Sequence, residues 1–356
     1  MRALAVIRIA VFVAALAWPL LTMGRDDGTL HEQRTLAPMP ALATAGGRYP
    51  EEFDAYFRDH FGWRERLIRW NNLLKFYALG EAPVDRVIIG GSGWFFYSNP
   101  RDGMDIRNFA GRWPHTGADI EAWLERQDER EQEYARHGAR YLIAIAPDKQ
   151  SVYPDQVPYR YGPHAPGVLD ELLRRAAAHP RLHVLDLRPA LQAHADRQLY
   201  FKGDSHWNAH GAFLAAQAIV EALRPEFPTV GAIRREDYVV SATPATGGDL
   251  VDMIALGVTT HDEAFKYRRK TGGARLGLDL PGNSVWEQPD TRMPTAVLFG
   301  DSYGVALEWI LCDAFSRLHY DMTTLNPPAP QIVATDRPDV VVLILVERNL
   351  PRLMDQ

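Results

Sequence analysis

Four short apolar runs, at 141–146, 182–187, 296–299 and 340–346, alternate with helix-patterned stretches, and no other feature limits the possible folds of this chain so strongly. Runs of this length and composition are buried strands. Strands that take turns with helices pair in parallel, with helices covering both faces of the sheet. The intervening pattern predicts a helix over 119–137, with Thr116 and Asp119 close to a capping box, and further helices over 168–178, 208–223 and 305–315. Asn208 suits the cap of the third. Two apolar runs around Gly90, Gly91 and Gly93 predict a tight hairpin over 87–97. The fold class read here is α/β, a parallel sheet flanked by helices.

In open α/β sheets, ligands collect outside the carboxyl ends of strands. The run 296–299 ends in Gly300-Asp301-Ser302-Tyr303-Gly304, a strand-to-helix turn with a serine at its apex. Well upstream stands Asp204-Ser205-His206-Trp207. In an extended loop, residues two apart share a side, so Asp204 and His206 can face together while Ser205 points away. A serine hydroxyl is a poor nucleophile at neutral pH. It needs an imidazole to take its proton and a carboxylate to fix the imidazole tautomer. The chain offers Ser302, His206 and Asp204 for these roles, in acyl transfer through a serine ester. Gly300 permits the tight turn, and backbone N–H groups at the helix start are expected to face a developing oxyanion. Two blander readings use the same residues: Ser302 as a helix cap, and Asp204 as a turn cap beside a surface histidine.

Lys149 follows one strand end and Arg348 another, where each can steady an acidic sugar or be a solvated charge. Trp207 suits a packing wall for the histidine or for substrate. With Tyr303, beside the serine, these three are the substrate-binding or oxyanion candidates. Asp301 reads as a brace for the nucleophile turn. Asp204, His206 and His210 offer a metal three ligands, but the zinc-peptidase pattern has a glutamate where Trp207 stands. No metal and no cofactor is expected.

Over 356 residues the net charge is -6, with basic residues dispersed, which argues against a nucleic-acid partner. Cys312 is the single cysteine, so no disulfide forms within the chain, and it reads as a small buried filler. Arg2 and Arg8, an uncharged stretch over 9–23, and then Arg25-Asp26-Asp27 predict a signal anchor or transmembrane helix over 1–24. A cleaved signal peptide is the alternative. Residues 25–50 read as a tether, and 51–115 as a helical and hairpin extension whose helices break near Gly62. The catalytic domain is expected over 116–356. It contains an insertion around 225–290 that carries Lys266, Arg268, Arg269 and Lys270.

Seven motifs occur in one order: Phe61 with Arg64 and Leu67; the hairpin 90–97; Pro147-Asp148-Lys149 with Tyr153-Pro154; Asp204 to Trp207; Gly248-Asp249-Leu250; Gly300 to Tyr303; and Glu347-Arg348. Together they resemble the alginate O-acetyltransferases of the AlgX/AlgJ group. The resemblance implies an SGNH-hydrolase-like parallel sheet flanked by helices, with aspartate and histidine ahead of the serine, as here. It implies Ser302 as nucleophile, His206 as base and Asp204 as orienting acid. It also implies a periplasmic enzyme, anchored in the inner membrane, that moves acetyl groups onto an exopolysaccharide. Acetyl-coenzyme A does not reach that compartment, so a membrane-bound O-acyltransferase partner is expected to deliver the acetyl group. Gly91-Ser92 stand where the family often has Lys-Asp, and Ser205 replaces a threonine; neither change removes a reactive group. An acetylesterase with the same triad, or a non-catalytic polysaccharide assembly protein, are the other readings.

Overall fold

The computed structural model describes residues 2–23, 36–79, 82–162, 166–254, 260–322 and 329–354. The chain divides into two units, Met1–Val84 with Val251–Gly257, and Asp85–Leu250 with Val258–Gln356.

The larger unit carries strands β1 (Val87–Ile89), β2 (Phe95–Tyr97), β3 (Arg140–Ala146), β4 (His183–Asp186), β5 (Tyr238–Thr246), β6 (His261–Arg269), β7 (Arg275–Leu280), β8 (Asn283–Glu287), β9 (Thr295–Gly300), β10 (Arg317–Met322) and β11 (Val340–Val346). Seven of them form one sheet, in the order β4-β3-β11-β9-β10-β8-β7. From β4 to β10 the pairing is parallel, whereas β8 runs antiparallel to both of its neighbours. The sheet is therefore mixed, where a parallel one was expected. The physical cause is the connection: Pro281 and Gly282, the latter at φ 74, turn β7 into β8 with no room for a crossover.

Both faces of the sheet are covered, which is why β3 and β11 are apolar at successive positions. Leu142, Ala144, Val342 and Ile344 join one core with the helices Ala209–Leu223 and Tyr303–Leu311. Their neighbours Ile143, Ile145, Val341 and Leu343 point the other way and join a second core with the helices Gly117–Arg136 and Val168–Ala176. Each fully buried Val, Ile or Leu contributes about 1.5–3 kcal/mol. The helix starts are fastened as the sequence suggests. Asp119 accepts the Thr116 N–H at 2.6 Å, and Asn208 Oδ1 accepts the His210 N–H at 2.9 Å.

β1 and β2 form the expected hairpin. The 225–290 region contains an antiparallel ribbon of β5 and β6, then the β7–β8 hairpin. Its strands escaped the sequence reading because β5 is largely exposed and has no run of buried apolar residues.

The smaller unit is helical, with Arg2–Leu21, Leu42–Ala45, Tyr49–His60 and Arg64–Leu73. The last two are separated beside Gly62, where Trp63 takes a left-handed φ of 64. Of the stretch read as a tether, residues 25–35 lie outside the described residues, and Ala37 donates its N–H to Asp59 at 2.8 Å. Among the described residues no helix is long and apolar enough to cross a membrane, so the anchor expected over 1–24 is not supported.

Candidate active site

Three parallel strands deliver their following loops to one edge of the sheet: β3 leads into Asp148 and Lys149, β9 into Asp301 and Ser302, and β11 into Glu347 and Arg348. β9 must pass close to β11 just before the serine. A Cβ on Gly300 would lie 2.2 Å from Ile344 Cγ2, so only glycine fits. Ser302 then occupies the start of the helix Tyr303–Leu311, but its side chain makes no capping bond.

Its hydroxyl is engaged elsewhere. Ser302 Oγ lies 2.7 Å from His206 Nε2, and His206 Nδ1 lies 2.7 Å from Asp204 Oδ1. Asp204 Oδ1 also accepts the His206 backbone N–H at 2.9 Å, while Oδ2 accepts the Asp249 N–H at 3.1 Å. Burial disfavours charge on Asp204, but the His206 imidazole and these two amides outweigh it and hold the carboxyl down at about 2. The carboxylate is thus ionised at neutral pH and favours the tautomer with its proton on Nδ1. That leaves the Nε2 lone pair directed at the hydroxyl.

Trp207 and Tyr303 fasten the histidine loop to the helix start. Trp207 Nε1 donates to the Tyr303 carbonyl at 3.2 Å, and the two rings lie 4.8 Å apart. The Tyr303 hydroxyl donates to the Ser205 carbonyl at 2.7 Å. Both side chains are buried and form the wall behind the imidazole.

Lys149 and Arg348 are committed to protein groups. The Lys149 ammonium is buried and donates to the carbonyls of Phe95 and Lys202, at 2.8 and 3.1 Å, joining β2 to the loop before Asp204. Burial lowers its pKa to about 7, against the pull of Asp249, Asp204 and Asp262. Arg348 donates to Asp148 at 2.8 Å and to the Tyr303 hydroxyl at 3.2 Å, bracing the wall from behind. Neither bonds to a side chain of the Asp204, His206, Ser302 trio.

Asp301 braces its turn more completely than the sequence indicates. Its carboxylate accepts the N–H groups of Tyr303 and Val346 and the amide of Asn349, and its carbonyl accepts the Gly304 N–H. The amides of Tyr303 and Gly304, expected to face an oxyanion, are therefore already bonded. That leaves the N–H of Ser302 itself as the donor the turn can offer.

Two acids were given no role from the sequence, Asp249, read only within the motif Gly248-Asp249-Leu250, and Asp262. Asp249 accepts the Ser205 N–H and hydroxyl at 2.6 and 2.5 Å, and its Oδ2 lies 3.8 Å from His206 Nδ1. Asp262, at the start of β6, accepts the Lys202 N–H at 3.0 Å and holds the same loop. A signal for Asp249 was available in the two glycines before it. Gly248 takes φ 123, and a Cβ there would lie 2.5 Å from the Gly203 carbonyl oxygen and 2.8 Å from Asp204 Cβ. Adjacent glycines ahead of an acid announce such a close backbone approach.

Asp204, His206 and Asp249 bring potential ligand atoms within 4.8 Å of one another. The facing atoms of Asp204 and His206 are spent on each other, and those of Asp249 on Ser205. The cluster reads as a hydrogen-bonded acid–imidazole group, not a metal cradle. His210 is not part of it, because its Nδ1 meets the Tyr267 hydroxyl at 2.6 Å.

A family model described as "SGNH hydrolase-like domain, acetyltransferase AlgX" matches residues 87–314, which include Asp204, His206, Asp249 and Ser302. A protein of Azotobacter vinelandii named "Probable alginate O-acetylase AlgJ" is 28% identical over 200 residues, 51% of this chain and 47% of its own length. Its namesake in Pseudomonas putida is 36% identical over 247 residues, 62% of this chain and 61% of its own. The chain thus spans about half to three fifths of the length of these relatives. Among solved structures, PatB1 of Bacillus cereus with a sulfonyl adduct has a TM-score of 0.58 at 14% identity, covering 74% of this chain and 95% of that one, a likeness of fold. The chain belongs to the AlgX family of SGNH hydrolase-like acetyltransferase domains.

Proposed function

We propose that this protein is a serine-dependent O-acetyltransferase that carries an acetyl group on Ser302 and passes it to a hydroxyl of an exopolysaccharide, alginate or an alginate-like acidic polymer. The observation that carries this reading is the unbroken relay from Asp204 through His206 to Ser302, with 2.7 Å at both junctions. Family membership supports the acetyl group, and the names of the relatives support the acceptor.

The chemistry proceeds in two balanced halves. His206 Nε2 takes the Ser302 proton as Oγ attacks the donor's acetyl carbonyl, and the imidazolium returns that proton to the departing oxygen. A sugar hydroxyl then attacks acetyl-Ser302, again losing its proton to Nε2, and the proton ends on Ser302 Oγ as the sugar ester leaves. Asp204 stabilises the imidazolium in both halves. The N–H of Ser302 and the partial positive helix end behind it stabilise the oxyanion.

The same reading takes 116–356 as the catalytic domain, with 51–115 as its helical and hairpin extension. It takes the segment with Arg2, Arg8 and uncharged 9–23 as an export signal, so that the enzyme works in the periplasm. Its acetyl donor there is a membrane-bound O-acyltransferase.

The test supplies a small acetyl ester and an oligouronate acceptor to the purified protein. Acetylated oligomer and an acetyl adduct on the Ser302 peptide are expected by mass spectrometry, with Ser302→Ala losing about 10³-fold or more in kcat/KM. Wild-type turnover no faster than Ser302→Ala overturns the reading. Free acetate with no acetylated oligomer makes the protein an esterase.

A further inference from the structure

Two cavities share Tyr267 of β6 as a common wall. The first, about 330 Å³, runs along the helix that Ser302 opens. Ala306, about one turn after the serine, and Trp309 line it on one side, and Lys266 on another. Trp309 is 53% exposed, a large value for an indole, and Trp286 holds it edge-on at 4.6 Å. The second cavity, about 270 Å³, is lined by Arg197, Arg235 and His210 together with apolar groups.

Charge sets these cavities apart from the rest of the molecule. The chain carries a net charge of -6, yet no carboxylate lines either cavity. Among the described residues Arg197, Arg235 and Lys266 form no ion pair with a carboxylate, and the Arg235 guanidinium donates to the Tyr238 carbonyl at 3.1 Å. The positive field is felt inside: burial first, and then Arg197 and Arg235, lower the pKa of His210, with Glu263 pulling the other way. Arg235 also lies 5.6 Å from the centre of the Tyr267 ring.

We propose that these two cavities form one binding path for an acidic polysaccharide, in which sugar rings lie against Trp309 and Tyr267 and the carboxylates of successive residues meet Lys266, Arg235 and Arg197. A guanidinium with no ion-pair partner is matched to a carboxylate, which it grips with two parallel hydrogen bonds. Aromatic faces accept the C–H faces of a sugar of either charge, so the cations supply the selection for acid. Ala306 in the lining stands about one helical turn after Ser302, and a chain bound along this path is taken to present one uronate to the serine while its neighbours are held. This assignment takes the acceptor's identity from the acetyl-transfer reading; the site itself does not depend on that chemistry.

The test therefore uses protein with Ser302→Ala, which binds without turnover. Calorimetry with a six-residue oligouronate is compared with a neutral oligosaccharide of equal length, in that background and with Arg197→Ala and Arg235→Ala added. The expected result is preference for the oligouronate, lost about tenfold or more in the double alanine variant, together with most of its salt dependence. Arg197→Lys with Arg235→Lys keeps the charge and is expected to restore most of the affinity, which separates charge recognition from loss of fold. Equal affinity for the neutral oligomer, or unchanged oligouronate binding in the double alanine variant, overturns the proposal. Because acyl chemistry is absent from this measurement, its failure is distinct from failure of the ester-turnover test.

Discussion

Both oxygens of Asp204 are occupied, one by His206 and the other by the amide of Asp249, so this side chain sets the loop as well as the imidazole. Asp204→Asn keeps its shape but presents an N–H or a neutral oxygen to Nδ1, which destabilises the productive tautomer. A loss of about 10² to 10⁴ in kcat with little change in KM is expected. Asp249→Asn removes a charge that stands 3.8 Å from Nδ1 and acts chiefly through Ser205, so its loss should be nearer tenfold. Steady-state kinetics of both variants check the ranking, and equal losses would refute it. Asp204 and His206 were legible because an extended loop turns residues two apart to one side. Asp249 was legible as part of the motif Gly248-Asp249-Leu250 but its role was not, because its partnership spans 45 positions in a stretch with no periodic pattern. Lys149 was correctly expected at a strand end, but nothing in its neighbours foretold that the carbonyls of Phe95 and Lys202 would capture its ammonium.

Among the elements, the loop before Asp249 decides how tightly the histidine loop sits. Gly248→Ala forces a left-handed φ of 123 on a residue with a side chain and drives that side chain into Gly203 and Asp204. The expected cost is about 1–3 kcal/mol of stability and a fall in kcat on the order of 10²-fold, from displacement of Asp204. Thermal melts and kinetics measure the two effects separately; a variant with wild-type kcat would show that the contact does not position the acid. The buried strands β3, β9 and β11 announced themselves as continuous apolar runs because helices cover both of their faces. The ribbon of β5 and β6 and the β7–β8 hairpin did not, since strands with exposed faces carry polar residues that resemble loop sequence.

For the molecule as a whole, one source of pH sensitivity is a buried acid in the loop after β11. Glu347 is buried, and burial, followed by repulsion from Asp148, raises its pKa to about 7 in spite of bonds from Ser151 and the Asp148 amide. The folded protein therefore holds this proton more strongly than the unfolded chain does. Its contribution to stability is complete below the ordinary glutamate range and is lost as pH rises through about 7. Glu347→Gln, which keeps a neutral side chain, should show a smaller fall in melting temperature between about pH 5 and pH 8, with roughly 2–4 °C corresponding to each kcal/mol of linkage. Parallel curves for the two proteins would place the sensitivity elsewhere. Of the parallel core, β3, β4, β9 and β11 were legible and β10 was not, because Arg317, His319 and Asp321 leave it no continuous apolar run; the antiparallel margin also escaped, because a two-residue turn settles its direction.

The position of β11 in the strand order has a consequence for how the protein is made. It lies at the centre of the five parallel strands, between β3 and β9, yet among the described residues it is the last strand in sequence. During synthesis two half-sheets exist before the strand that joins them, each with an open hydrogen-bonding edge made of apolar sequence. Closure of the sheet is thus postponed until β11 has emerged, and the nascent chain must be shielded from self-association until then.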